Sequence, residues 1–356
     1  MDMTRRTLLG FGAGGLVYLT VPGVWAAPGG PRYLGVRRLG DGRSEPFRFA
    51  ACVANAHGRI LRQVDLPARG HGFALRPDGK LAVALARRPG TFAAAFAVDG
   101  DGPAKVFHAP AGRHFQGHAV FEPTGRHLFA TENDFDNARG CIGVYDAADG
   151  FKRVAELPSH GVGCHELVLM PDGQTAAVAN LAYVDLRSGK LQDTIDYPDD
   201  RRHKLSIRHL AALDDGRVVF ACQDQGPAAD GLTLVGLHRP GSGRIEDLEA
   251  PEATTLNLNG YCGSVAVDRG GKLAAVSAPR GNRVLFWNTA TRELTGSIPI
   301  ADGCGLAAGP AAGSFVLTSG LGAFVVGGPG LPTPVEPDGG APWDNHLLVV
   351  PGPQSA

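Results

Sequence analysis

The sequence feature that most constrains the fold is a phrase that recurs along the chain. Each copy begins with a polar pair, continues as an alternating apolar strand, and passes through a Pro/Asp/Gly turn into a second apolar strand. Clear copies occupy residues 71–79, 117–125 and 165–173, and weaker copies occupy 208–216, 263–271 and 305–313. Successive copies lie about 42 to 55 residues apart, which is the length of a four-stranded propeller blade.

Six copies predict six blades, and segments from the two ends of the chain predict a seventh. Residues 33–67 supply outer strands, whereas residues 345–350 begin like the inner strand of the other copies. Joining the two ends in one sheet leaves few unpaired strand edges. We therefore predict an all-β chain that folds as a seven-bladed β-propeller with four-stranded blades, its ring closed by N- and C-terminal strands. The alternative is a β-sandwich with repeat-like hairpins.

The first residues of the chain predict an export signal. Arg5 and Arg6 precede Thr-Leu-Leu, an uncharged apolar run follows, and small residues end at Ala26. This is the pattern of a twin-arginine signal peptide. We predict a cleaved leader at 1–26, a single propeller domain at 27–356, and a location in the periplasm. The alternative, a retained anchor, is disfavoured because glycines and Pro22 interrupt a run shorter than the roughly 20 apolar residues of a span.

Charge and motifs exclude several classes of function. The formal net charge is −1 and the chain has no basic block, so nucleic acid is not an expected partner. It lacks the G-x-S-x-G elbow of α/β-hydrolases and the H-E-x-x-H helix of zinc proteases. Its six cysteines form no C-x-x-C pair of the kind found in zinc ribbons.

Histidine is concentrated at one position of the repeat. In a propeller the first strand of each blade lines the central channel, so the opening pairs are expected to meet at one rim. Five of these pair positions are histidine, in a chain with only 12 histidines among 356 residues. They are His71, His118, His165, His209 and His346, and Glu166, Arg208 and Asn345 occupy further pair positions.

The ends of the second strands are expected to reach the same rim and carry more polar residues. Glu132 is predicted to be a catalytic acid or base, together with Glu166 of the opening pairs. Predicted ligand-binding residues, drawn from both positions, are Asn133, Asp134, Asn180, Arg208, Gln223, Arg280 and Asn345.

Three interpretations of this rim remain open from the residues alone. Neutral histidines are suitable ligands for a transition metal such as iron, copper or zinc. Arg208 and Arg280 instead indicate a small polar or anionic ligand. In a purely structural role, each histidine would cap backbone groups and bind channel water.

The cysteines show a repeat pattern of their own. Cys164, Cys262 and Cys304 each precede an opening pair, and the last two belong to neighbouring blades. Because an exported protein can form disulfides, we predict a disulfide and take Cys262–Cys304 as the first pair to test.

Several longer motifs resemble a known bacterial family. They are residues 131–134 with 139–146, and residues 159–167, 205–210, 260–266 and 278–281. The family is a domain-of-unknown-function family of twin-arginine-exported seven-bladed propellers. It resembles the quinoprotein amine dehydrogenase β-chain (YVTN-like) superfamily, and its members are often encoded beside imelysin-type iron-uptake proteins.

The resemblance implies a periplasmic propeller linked to iron or another metal, with a periplasmic iron-uptake protein as partner and no stable membrane anchor after leader cleavage. Two departures bear on the site. Cys164 stands where the family has proline, and the chain lacks a longer insertion after Asn180, so a more open site or a lost one is expected. Our hypothesis is a binding or assembly protein with a histidine-rich channel mouth. The alternatives are an oxidoreductase or lyase using the same rim, and a scaffolding propeller.

Overall fold

The computed structural model describes residues 30–40, 46–197, 200–227, 230–332 and 340–352. Seven antiparallel sheets surround a central channel, which confirms the predicted seven-bladed β-propeller. The signal peptide predicted for residues 1–26 lies outside the described residues.

Both ends of the chain form blade 1, as predicted. Its strands are β1 (Arg32–Leu39), β2 (Arg48–Asn55), β3 (Ile60–Leu66) and the C-terminal β27 (Trp343–Val350). They pair in the order β27-β1-β2-β3, so the last strand of the chain is the innermost strand of the first blade. The antiparallel register of Tyr33 with Val349 holds the ring closed.

Blades 2 to 7 follow in chain order, each beginning at the channel and ending at the outside. Blade 2 contains β4 (Gly70–Leu75), β5 (Leu81–Ala86), β6 (Phe92–Ala97) and β7 (Lys105–His108). Blade 3 contains β8 (Arg113–Phe121), β9 (His127–Asp134), β10 (Arg139–Asp146) and β11 (Lys152–Pro158). Blade 4 contains β12 (Leu167–Leu169), β13 (Thr175–Val178), β14 (Ala182–Asp185) and β15 (Leu191–Thr194).

The remaining blades repeat this arrangement. Blade 5 contains β16 (Leu205–Ala212), β17 (Val218–Asp224), β18 (Val235–His238) and β19 (Ile245–Asp247). Blade 6 contains β20 (Ser264–Val267), β21 (Leu273–Ala278), β22 (Arg283–Asn288) and β23 (Leu294–Pro299). Blade 7 has three strands in the described part of the chain: β24 (Gly303–Ala308), β25 (Phe315–Ser319) and β26 (Phe324–Gly327).

Helices are short and lie outside the sheets. A five-residue helix α1 (Glu252–Leu256) precedes blade 6, and 3-10 turns occupy Asp200–Arg202 and Pro279–Gly281. A search of the described residues finds no helix with the length and apolar character needed to cross a membrane.

The apolar core lies between neighbouring blades. The second strands are nearly continuous runs of buried residues, such as LAVALA in β5, because each blade packs against another on both of its faces. The inner strands all run in the same direction along the channel. Their opening pairs therefore lie on one face of the propeller, here called the pair face. Their Pro/Asp/Gly turns, with glycines such as Gly79 at positive φ, lie on the opposite turn face.

The predicted Cys262–Cys304 disulfide is wrong: all six cysteines are buried free thiols. The two residues do occupy neighbouring blades, but their thiols lie in different gaps between blades. Cys262 packs in the core that blades 5 and 6 share with Cys222, whereas the Cys304 thiol donates to the Asp344 carbonyl of blade 1 at 3.4 Å.

Candidate functional site

The five histidines of the opening pairs lie together in the channel. Four of them lie within inner strands and His165 lies two residues before β12, and their exposed fractions are only 2 to 7%. Ring centroids are 4.4 Å apart for His71 and His346, 4.7 Å for His209 and His346, and 5.0 Å for His118 and His165. We call these five residues the histidine cluster.

Four members of the histidine cluster bring ligand atoms within 4.8 Å of one another: His71, His118, His165 and His346. The Nε2 atoms of His71 and His346 are 3.2 Å apart. Two nitrogens bound tetrahedrally to one zinc ion, at about 2.0–2.1 Å each, would be separated by about 3.3 Å. His118, Glu166 and His209 form a second, overlapping group by the same distance criterion.

Irregular pairing at the start of the inner strands aims these rings inward. The register between β4 and β5 shifts between Gly70 and Phe73, and that between β8 and β9 shifts between Phe115 and Ala119. Such bulges change the direction of a side chain locally. Gly117 lies within the second bulge at φ +106°, and a Cβ there would come within 2.4 Å of the His71 ring. A glycine is therefore required for the close approach of blades 2 and 3.

Two carboxylates orient three of the rings. Asp344 accepts from His71 Nδ1 at 3.3 Å, and Glu166 lies 3.2 Å from His118 Nδ1 and 3.0 Å from His209 Nδ1. A histidine that donates Nδ1–H to a carboxylate presents the lone pair of Nε2, which is the arrangement found behind metal-bound histidines. The carboxylates are themselves fixed, because Leu210 N donates to Glu166 at 3.1 Å and Asn345 N donates to Asp344 at 2.9 Å.

Burial lowers the pKa values of several members of the cluster. It lowers the pKa of His71 to about 3 and brings the pKa values of His165 and His346 well below the usual histidine range. Burial alone would raise the pKa of Asp344, but hydrogen bonding and attraction from His71 and charge attraction from Arg69 outweigh it and lower that pKa. His71, His165 and His346 are therefore neutral imidazoles near the ionised Asp344 carboxylate, the forms in which both groups bind metals.

Some polar atoms of the cluster have no hydrogen-bonding partner. His118 Nε2 and His165 Nδ1 are buried and unpartnered. Most buried polar groups in proteins are paired, so an unpaired one indicates strain, an absent ion or water, or a functional role.

The histidine cluster separates two cavities. On the turn face, a cavity of about 910 Å³ reaches His118 and Glu166 and is lined largely by apolar inner-strand residues such as Phe73 and Leu167. On the pair face, a smaller cavity of about 180 Å³ reaches the cluster from the other side. The lining of this pair-face cavity is His71, Arg87, Arg88, His165, Arg208, His209, Gln223, Tyr261 and Asn345.

Sequence reasoning found part of the pair-face cavity. Arg208, Gln223 and Asn345 line it, and Asn345 Nδ2 donates to the Tyr261 hydroxyl at 3.3 Å. Arg87 and Arg88 were not predicted, although both follow directly after β5, at the repeat position that carries polar residues such as Gln223 in other blades. Their place in the repeat is the signal that identifies them.

Other predicted site residues lie elsewhere. Arg280 does not line the pair-face cavity; it stacks on the Tyr261 ring at 5.0 Å. Asn180 donates to the Ser159 carbonyl at 3.1 Å, and Asn133 is buried in β9 with its Oδ1 unpartnered. In the described part of the chain, no side-chain hydrogen bond or ring contact joins these three residues to the histidine cluster.

Glu132 and Asp134 belong to an ion network inside blade 3. The sequence placed them after the second strand, but β9 continues to Asp134. Glu132 accepts from the Tyr145 hydroxyl and from Arg153 Nη2, the latter at 2.8 Å. Asp134 contacts Arg139 at 3.0 Å, so both carboxylates are held by partners within their own blade.

Fold and site together define a seven-bladed propeller whose channel is crossed by a buried cluster of histidines. The chain belongs to the family described as protein of unknown function (DUF1513), whose model matches residues 64–180 and 179–350. No curated protein matches the chain. Among solved structures it is similar to hydrazine synthase of Kuenenia stuttgartiensis, at 13% identity and a TM-score of 0.56. That match covers 77% of this chain and 89% of the other, and at this identity it shows a shared fold alone.

Proposed function

We propose that the protein binds a transition metal ion at the histidine cluster. The observation that carries the proposal is the set of four histidine ligand atoms within 4.8 Å of one another, with His118 Nε2 and His165 Nδ1 buried and unpartnered. A cluster that only stabilised the fold would be expected to use its nitrogens in hydrogen bonds. Imidazole ligands suit iron, copper and zinc, so the donor set favours transition metals of intermediate softness.

In this proposal His71, His118, His165 and His346 hold the ion. Asp344 and Glu166 act behind them: each accepts an Nδ1–H and so fixes the ring orientation and the tautomer that presents Nε2. His209, which shares Glu166 with His118, stands beside the site.

The geometry favours metal binding over acid–base catalysis by the residues predicted for it. Glu132 is held by Tyr145 and Arg153 inside blade 3. Glu166 is occupied by His118 and His209. Neither carboxylate is free to take up a substrate proton in this arrangement.

The test is metal analysis of the full chain after export by its own leader. We expect about one metal ion per chain after reconstitution with zinc, cobalt, copper or iron, removed by a chelator and restored by the metal. Titration with cobalt gives a second readout, because the visible spectrum of the bound ion reports nitrogen ligands.

His165→Gln removes one ligand, and His127→Gln is the matched control. His127 is a partly buried histidine paired with Glu122 at 2.7 Å, outside the channel. Loss of binding in the first variant and retention in the second supports the site. Equal binding by the native chain and His165→Gln would overturn it.

We further propose that the protein acts in the periplasm, exported by the twin-arginine route, with an iron-uptake protein as partner. The support is the Arg5-Arg6 leader and the family resemblance of the sequence. The double substitution R5K/R6K should retain the full-length chain in the cytoplasm, measured by cell fractionation. Export of that variant at the native level would contradict the route.

Co-purification tests whether this partner binds. The exported chain is purified together with the iron-uptake protein encoded beside it, with and without added iron. Absence of the complex under both conditions would contradict it.

A further inference from the structure

The pair-face cavity carries positive charge that the surrounding residues do not balance. Its lining includes three guanidinium groups, from Arg87, Arg88 and Arg208, and no aspartate or glutamate. Asp344 lies beneath the cavity, 3.6 Å from Arg87, but it is shared with Arg69 at 2.5 Å. In the part of the chain that the structure describes, neither Arg88 nor Arg208 has a carboxylate within 4.0 Å.

Two of these guanidinium groups also have buried nitrogens that make no hydrogen bond. Arg208 Nε has no acceptor, and Arg87 Nη1 has only the ion pair with Asp344 at 3.6 Å. A buried donor without an acceptor costs free energy, and like charges gathered in one small cavity repel one another. Arginines that only support a fold are expected to be paired, as Arg153 is with Glu132 and Glu156.

We propose that the pair-face cavity binds a small multivalent oxyanion, with Arg87, Arg88 and Arg208 as its main ligands. Guanidinium groups bind carboxylate, phosphate and sulfate oxygens through paired N–H donors. The amides of Gln223 and Asn345 and the Tyr261 hydroxyl supply further donors on the same cavity wall.

The size of the cavity limits the ligand. A volume of about 180 Å³ equals that of about six water molecules at roughly 30 Å³ each. Sulfate, phosphate or oxalate fits within this space, whereas a nucleotide or a sugar chain would extend out of it. The site is thus built for an inorganic oxyanion or a short dicarboxylate.

The anion would lie next to the proposed metal. His71, His165 and His209 form the inner end of the cavity, so its ligand is separated from the cluster by no intervening side chain. This step rests on the proposed function: a metal cation at the cluster should strengthen anion binding, and the anion should strengthen metal binding by the same factor.

Calorimetric titration of the full chain with sulfate and with oxalate, first in metal-free and chloride-free buffer, tests the site. We expect both to bind the native chain and acetate to bind at least about ten times more weakly, because it offers one carboxylate. Arg208→Gln should weaken sulfate binding at least about tenfold, and Arg208→Lys should do so less because it keeps the charge but loses the paired donors.

The matched control is Arg280→Gln, which removes a nearby arginine that stacks on Tyr261 without lining the cavity. Retained sulfate affinity in this variant supports the site, and a loss equal to that of Arg208→Gln would overturn it by showing a general charge effect. Unfolding midpoints of all variants establish that the chains compared are folded.

Repeating the sulfate titration on zinc-loaded protein separates the two proposals. Sulfate binding to metal-free protein that depends on Arg208 supports the anion site even if zinc does not bind. Zinc binding with no detectable sulfate or oxalate binding overturns the anion site and leaves the metal site standing. If bound zinc leaves the sulfate affinity unchanged, the proposed coupling between the metal site and the anion site is overturned.

Discussion

The ion network of blade 3, which surrounds the buried carboxylates of Glu132 and Asp134, and the buried histidine cluster of the channel differ in how fully their hydrogen-bonding groups are used. In the network, Glu156 contacts Arg113, Arg139 and Arg153, and Glu132 contacts Tyr145 and Arg153. Three carboxylates face three guanidinium groups, and no atom of these six side chains is buried without a partner. The histidine cluster, in contrast, keeps unpartnered nitrogens on His118 and His165.

Short distances between potential ligand atoms occur in both regions and so do not distinguish them. Glu132, Cys141 and Glu156 also bring potential ligand atoms within 4.8 Å of one another. Arginine nitrogens already occupy the carboxylate oxygens there, and burial raises the pKa of the Cys141 thiol to about 12, which disfavours the thiolate that binds metals. A buried polar cluster is therefore a candidate binding site when its groups are close together and also unpaired.

The largest expected effect concerns the stability of the ion network. Glu132→Ala leaves Arg153 and the Tyr145 hydroxyl without their buried acceptor, and we expect the free energy of unfolding to fall by about 3–5 kcal/mol. Urea denaturation of the metal-free chain measures it, and metal content per folded chain should not change. A loss below about 1 kcal/mol would contradict the distinction between the regions.

The reverse pattern is expected in the channel. His165→Gln removes a side chain whose Nδ1 has no partner, so metal affinity should fall by at least about 100-fold while the metal-free free energy of unfolding changes by no more than about 1 kcal/mol. Competition with a chromogenic chelator and urea denaturation provide the two numbers. A variant that unfolds as readily as Glu132→Ala would show that the histidines are primarily structural.

A smaller effect is expected at the carboxylate behind His71. Asp344→Asn keeps the shape of the side chain but weakens its acceptance of Nδ1–H, so metal affinity should fall by about 10- to 100-fold. The cobalt spectrum should also shift, because ring orientation and tautomer change, which a merely destabilised fold would not produce. Unchanged affinity together with an unchanged spectrum would remove Asp344 from the positioning role.

The smallest effect is expected at an exposed ion pair, which calibrates the other three variants. Arg48 and Asp65 lie 3.1 Å apart on blade 1 with side chains 70% and 64% exposed. Arg48→Ala should change the free energy of unfolding by less than about 1 kcal/mol because solvent screens the pair. A larger loss would mean that the urea measurements overstate the contribution of ion pairs in this protein.

The fold and the histidine cluster were predictable because both follow from the repeat. Each histidine occupies one of the two opening-pair positions of the repeat, and closure of the ring brings these positions together. The predicted strand ends were less reliable: Glu132 and Asp134 lie within β9, because the strand continues through polar residues that pair with β10. Polarity at the end of an apolar run did not mark the end of that strand.

The contacts between blades that complete the site could not be predicted from the sequence. Asp344 and Glu166 support histidines of other blades, and Arg87, from the end of β5, meets Arg208 from blade 5 only across the channel. The cysteine pattern failed for the same reason, since neighbouring blades do not guarantee that two thiols lie in one gap.

The sequence by itself determined the architecture, because a repeat of apolar strands and turns can bury its surfaces only by stacking neighbouring copies, and the two ends supply one blade together. It also determined that the five histidines of the opening pairs meet in the channel. The tertiary structure alone decided which of them are left with unpaired atoms, because hydrogen bonding and charge balance depend on contacts between blades that are far apart in the chain.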